Sequence, residues 1–143
     1  VNEENRVPVD PDQLSGIPLF ADLDDDDRAR LAATLSERNV ELGTVLATES
    51  EISSRFFVIA EGRVAVTAGT GFVSILGPGD ILGEIGSMRG PRRSANAVAI
   101  TKARLLTTMS WDLRDLAAEM PELDRRLNEV IDRRLAELES VDP

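Results

Sequence analysis

The sequence predicts an α+β fold, mainly β, in which a sandwich or jelly-roll barrel of short strands lies between an N-terminal helix and C-terminal helices. Three observations predict it. Between Arg38 and Met109, short β-type runs alternate with turn signals rich in glycine and proline. Before that stretch, Leu23, Leu31, Ala32 and Leu35 recur at helical spacing. After it, Leu123, Leu127, Val130, Ile131, Leu135 and Leu138 form a second helical stripe. At 143 residues this is one domain, able to bury a core of its own.

In chain order, Val1 to Pro8 is polar and expected to fray. Asp24 to Asp27 precede or open the first helix, where carboxylates complement the macrodipole. This acidic run lacks the ligand spacing and central glycine of a calcium loop. The helix is placed at residues 24–36. The barrel, at 38–109, takes its strands from Val45-Leu46-Ala47, Phe56 to Ala60, Arg63 to Thr67, Phe72 to Leu76, Asn96 to Ile100 and Arg104 to Met109. Between them lie Glu61-Gly62, Gly69-Thr70-Gly71 and Gly77-Pro78-Gly79-Asp80, whose Pro-Gly pair suits a type II turn. The C-terminal helices occupy 111–139. Ser110 is the expected N-cap and Trp111 an expected core anchor; Pro121 restarts the helix in its first turn. The domain as a whole is placed at 11–140. The apolar stripe of the last helix needs a covering surface, either the barrel or the same helix of a second chain.

Composition narrows the chemistry. The chain has no cysteine, histidine or tyrosine and one lysine, Lys102. The commonest general base, the thiolate nucleophile and the usual metal ligands are therefore missing, and the reading is of a binding module with no metal or cofactor, not an enzyme. A net charge of −10 repels phosphate backbones, so no direct nucleic-acid contact is expected. No apolar run reaches membrane-span length and no signal peptide is visible, so the chain is read as cytoplasmic and without membrane contact. No glycine-rich loop joins a strand to a long helix, which leaves Rossmann and P-loop nucleotide folds unsupported.

One short stretch carries a binding signature. Gly83-Glu84-Ile85-Gly86-Ser87-Met88 is followed, after a Gly-Pro loop, by Arg93-Ser94-Ala95, so that a carboxylate and an arginine fall within eleven residues. A carboxylate accepts hydrogen bonds from a sugar hydroxyl, and an arginine fork grips a phosphate with paired N–H donors. Small residues let backbone N–H groups approach phosphate oxygens. The combination suits a sugar joined to a phosphate. Taken singly, Glu84 and Arg93 suit a loop salt bridge better.

The order of these features resembles the cyclic nucleotide-binding domain family, the module of the catabolite activator protein and the kinase A regulatory subunits. Ile17-Pro18-Leu19-Phe20 before the acidic helix is similar to the family's opening. Gly43-Thr44-Val45-Leu46, Phe57-Val58-Ile59 and Glu61-Gly62-Arg63-Val64-Ala65-Val66 resemble its first strands. Gly77-Pro78-Gly79-Asp80 with Gly83-Glu84-Ile85-Gly86 resembles the start of its phosphate-binding cassette, and Arg93-Ser94-Ala95 the end. The resemblance implies a jelly-roll barrel binding a cyclic nucleotide monophosphate, cAMP favoured over cGMP, with the C-terminal helix moving in response. It implies that Glu84 holds the ribose 2′-hydroxyl. Arg93, the arginine before Ser-Ala, would pair with the phosphate, leaving Arg89 and Arg92 as rim charges. By the same resemblance, backbone around Gly83, Ile85, Gly86, Ser94 and Ala95 lines the sugar-phosphate. Val66, Val73, Ser74 and Ile81 face the base and ribose, and Arg134 and Leu138 cap the base. Ser87 stands where the family has leucine, and Leu138-Glu139 where the catabolite activator protein has hydroxyl residues. A homodimer through the C-terminal helix is the expected assembly. A ligand-silent dimerisation module, or the sensor part of a transcription regulator, is the alternative.

Overall fold

The computed structural model describes residues 7–48, 55–68, 71–83 and 95–141. Among these residues, nine strands form two antiparallel sheets: β1 (Val7–Pro8), β2 (Ser36–Val40), β3 (Val45–Ala47), β4 (Arg55–Glu61), β5 (Val64–Ala68), β6 (Gly71–Leu76), β7 (Ile81–Leu82), β8 (Asn96–Ala99) and β9 (Ala103–Met109). The five-stranded sheet has the order β1-β2-β9-β4-β7, and the four-stranded sheet β3-β8-β5-β6. Three α-helices among the described residues accompany them: α1 (Asp25–Thr34), α2 (Ser110–Glu119) and α3 (Pro121–Val141). This is the jelly-roll sandwich with flanking helices that the sequence predicts.

The uninterrupted apolar run of β4 sets the layering. Alternate side chains of a strand point to opposite faces, so a strand apolar at every position is covered on both. Phe57 and Ile59 point into the barrel, where they meet Val64, Leu82, Ala97 and Leu105. Phe56 and Val58 point the other way, into a second cluster with Phe20, Leu31, Leu113, Leu123 and Leu127 from the helical layer. Strand β9 repeats the pattern, with Leu105 inside the barrel and Leu106 against the helices. The five-stranded sheet is therefore the middle layer, with a core on each side.

Asp24 caps α1, its Oδ1 accepting from the Asp27 N–H at 2.8 Å, and Asp25, Asp26 and Asp27 fill the first turn. Three local expectations are corrected. Val7–Pro8 pair with Glu37 and Ser36, so the end of the segment expected to fray is a short strand. Ser110 is the first residue of α2 and buried; the capping position is Met109, without a side-chain cap. Trp111 is 51% exposed and so anchors no core. The buried positions of α2 are Ser110, Leu113, Leu116 and Ala117, and Trp111 lies two residues, about 200°, from Leu113.

As far as Ile131, the stripe of α3 is covered by its own chain. Leu123, Leu127 and Ile131 are each fully buried, so this part of the helix cannot serve as the face of a homodimer. Leu135 and Leu138 have side chains outside the described residues.

The β4–β5 turn sets one stability prediction. Gly62 has φ 100°, and a Cβ there would sit 2.4 Å from the Lys102 carbonyl oxygen and 2.8 Å from the Ala103 Cα. Both are backbone atoms that cannot swing aside. Gly62→Ala should destabilise the domain by about 2 kcal/mol, from left-handed strain plus overpacking, read as a lower urea midpoint at unchanged slope.

Candidate functional site

The turn leading to the expected cassette is tightly built. The Asp80 N–H donates to the Gly77 carbonyl at 3.0 Å, and Gly79 has φ 91°, as a type II turn with Pro78-Gly79 at its centre requires. The Asp80 carboxylate accepts from the Gly77 N–H at 2.8 Å. The turn is tied to β4 by Ile59 N–H to the Asp80 carbonyl (2.9 Å) and Gly79 N–H to the Ile59 carbonyl (2.8 Å). Strand β7 then pairs Ile81 with Val58 and Leu82 with Phe57, and Gly83 leaves it at φ 90°. The start of the cassette is thus fixed to β4, an inner strand of the middle layer.

Glu84, Ile85, Gly86, Arg93 and Ser94 lie outside the described residues. The other expected site residues fall into two groups. Val66, 8% exposed, points into the barrel with Leu76, Leu82 and Ala97, and Ala95 packs against the same cluster. Ser74, Ile81 and Arg134 come together elsewhere, around a cavity of about 410 Å³ between β6, β7 and α3. Ile81 belongs to the helical-side cluster and not to the barrel interior. Val73 and Leu138 belong to β6 and α3, with side chains outside the described residues.

Helix α3 spans this groove. Its Arg134, half-buried, donates from Nη1 to the Ile81 carbonyl, which joins the helix to β7 two residues before Gly83. Arg126, Glu129, Val130 and Arg133 also line the groove. Their positions, with Arg134, follow the three-and-four spacing of one helix face. That spacing was open to view in the sequence, but Arg126 and Arg133 were not among the expected site residues. With Asp80 and Glu129, the lining sets three guanidinium groups against two carboxylates. A chain of net charge −10 therefore carries a locally cationic groove beside its expected anion site.

The near end of α3 is held by ion pairs. Arg126 Nε donates to Asp22 Oδ2 at 3.1 Å, and its Nη2 pairs with the same carboxylate. Arg125 reaches Glu122 at 2.7 Å and Glu129 at 3.1 Å. The hydrogen bond that Arg125 donates to Glu122 is the main cause of its pKa being raised above the ordinary value. The Arg126–Asp22 pair joins α3 to the segment between Pro18–Phe20 and α1, beside the buried Leu123 and Leu127, while the Arg125 pairs with Glu122 and Glu129 lie within the helix. The helix is thus anchored over its first three turns and borders the groove from Arg126 to Arg134.

Among the described residues, no group of three or more histidine, cysteine or acidic side chains is placed to hold a metal ion. Among them, no helix is long and apolar enough to cross a membrane.

Comparison with known proteins agrees with the geometry. Residues 37–119 match the family model of the cyclic nucleotide-binding domain. A protein of Rhodopseudomonas palustris whose name places it with potassium channels is 33% identical over 124 residues, 85% of this chain and 30% of that protein. The cAMP-dependent protein kinase regulatory subunit of Yarrowia lipolytica is 33% identical over 96 residues, 66% of this chain and 26% of that subunit. The crystal structure of the Thermus thermophilus catabolite activator protein superposes with a TM-score of 0.74 at 25% identity, covering 85% of this chain and 60% of that one. The chain spans less than a third of the length of these first two curated relatives.

Proposed function

We propose, from the premise that the chain belongs to the cyclic nucleotide-binding domain family, that it is a regulatory module taking one cyclic nucleotide monophosphate, cAMP in preference to cGMP. The observation that carries this reading is the junction of α3 with β7. Arg134 of the helix holds the carbonyl of Ile81 at the entrance to the Gly83–Ala95 stretch. A ligand seated in that stretch would act on the strand that the helix grips.

In this reading Glu84 takes the ribose 2′-hydroxyl and Arg93 the cyclic phosphate. Backbone N–H groups around Gly83, Ile85, Gly86, Ser94 and Ala95 surround the phosphate. Val66, Val73, Ser74 and Ile81 take the base and ribose. Arg134 and Leu138 belong to the element that closes over the base. Because Leu123, Leu127 and Ile131 are fixed in the core, the response is a movement of α3 beyond Ile131. Binding shifts that end between two positions, by no more than the ligand's differential affinity for them. Pairing of two copies through this helix would likewise rest on its last turns. The module acts by binding, without catalysis, nucleic-acid contact or membrane contact, in the cytoplasm where such nucleotides are signals.

Calorimetric titration with cAMP and with cGMP tests the reading. Saturable heat at one nucleotide per chain, tighter for cAMP, is the expected result. No heat and no thermal shift with either nucleotide would leave a ligand-silent module of the same fold. A second titration checks the sugar contact. Glu84→Gln should weaken the cyclic nucleotide more than its 2′-deoxy analogue, which already lacks the hydroxyl. Equal losses would make Glu84 structural.

A further inference from the structure

We propose that the outer face of the four-stranded sheet is where a second copy of this chain packs, face to face, in a weak two-fold dimer. The register of the sheet sets one apolar row across all of its strands. Val45 pairs with Val98, Val98 with Ala65, and Ala65 with Ile75. These residues alternate with inward-pointing Leu46, Ala97, Val64, Val66 and Leu76, so they share the face away from the barrel. Val45 is 60% and Ile75 53% exposed, and Val98 and Ala65 are half-buried. Leu42 and Ile100 extend the row at one end, also exposed.

The charge pattern selects the occupant. Charged residues make up 29% of the chain, yet β3, β5, β6 and β8 contain none. Two copies of net charge −10 repel wherever their acidic surfaces meet, and this face avoids that repulsion. An apolar row is its own complement, as a two-fold contact requires. The rim carries Arg63 and Lys102 together with Glu41 and Asp80, all exposed, so cations of one copy can lie beside carboxylates of the other. The stripe of α3, the other apolar surface expected to pair, is buried in its own chain as far as Ile131. Four strands about 4.8 Å apart and three to six residues long offer a face of roughly 300 Å². That is well under half the area per partner of a durable interface, so the dimer is weak and depends on concentration.

Sedimentation equilibrium of the chain from about 10 µM to about 1 mM tests this. A dimer with a dissociation constant of roughly 0.1 mM is expected, tightening as added salt screens the repulsion between copies. Val45→Glu with Ile100→Glu should weaken it at least tenfold with melting temperature and circular dichroism unchanged, both positions being exposed. The chain has no cysteine, so an introduced one reports on its own surroundings. Ala65→Cys, at the centre of the row, should form a disulfide-linked dimer under mild oxidation, and Ala29→Cys, exposed on α1, should not. A chain that stays monomeric at 1 mM overturns the proposal. So does a dimer that survives Val45→Glu with Ile100→Glu but is lost on Leu135→Asp, which would place the contact on α3. Equal crosslinking at both cysteines would overturn it as well.

Discussion

Arg93→Ala should weaken cyclic nucleotide binding at least tenfold, and Arg92→Ala far less. A guanidinium that meets a cyclic phosphate with two parallel N–H donors makes a charge-assisted contact that a neighbouring point charge cannot copy. Truncating one partner of such a pair in a partly dry site costs about 2–5 kcal/mol, because the remaining charge loses its only close counterion. Arg92 would act at longer range, through a field that salt screens. Its effect should therefore shrink between low and physiological ionic strength, while that of Arg93 should persist. Parallel calorimetric titrations of the two variants decide the matter. Equal losses would mean that the phosphate is shared or that the other arginine holds it. If Arg93→Ala binds like the unmutated chain, the phosphate lies elsewhere, and the cationic groove lined by Arg126, Arg133 and Arg134 becomes the next place to look.

The parts legible from sequence are those in which one physical signal dominates. Strand β4 was plain because five consecutive apolar residues, Phe56 to Ala60, fit only a short strand with both faces covered. The Gly77–Asp80 turn was plain because Pro and Gly each restrict φ in a way that few turns accept. Strand β2 was missed. Its residues, Ser36-Glu37-Arg38-Asn39-Val40, include one fully buried side chain, and it is held by pairing with β9 and by Glu37 to Arg104 at 3.3 Å. Nothing in a polar pentapeptide reports a partner strand 67 residues away. Strand β7 is two residues long and too short for any period to show. Trp111 was misplaced by residue type, since aromatic bulk suggested the core while its position relative to Leu113 pointed outward. The candidate site divides in the same way. The order of Gly83-Glu84 and Arg93-Ser94-Ala95 is local and readable. That Ser74, Ile81 and Arg134 share a groove depends on how α3 crosses β6 and β7, a tertiary fact.

The way α3 is held makes Leu127 the most telling position for stability. Leu127 has no exposed surface and sits in the helical-side cluster with Phe20, Leu31, Leu113 and Leu123. Removing three carbons there forfeits their transfer free energy and leaves a cavity that the surrounding elements fill only in part. Leu127→Ala should therefore cost about 2–5 kcal/mol, measured as a fall in the urea midpoint with the slope unchanged. Leu127→Asp should cost more, because an unpaired carboxylate would enter the same space, and that variant should fail to fold at 37 °C. The two substitutions separate the available roles of the helix. If Leu127 served a second copy, Leu127→Ala would leave the isolated chain as stable as before and change only its assembly. If it anchors the helix to its own core, stability falls at every protein concentration. The same loosening would free the far end of α3 from β7, so cyclic nucleotide binding should weaken along with stability even though Leu127 lies outside the groove lining. A Leu127→Ala chain that melts like the unmutated one would show that the packing of α3 adds little to the fold, and would remove the fixed pivot on which its proposed movement depends.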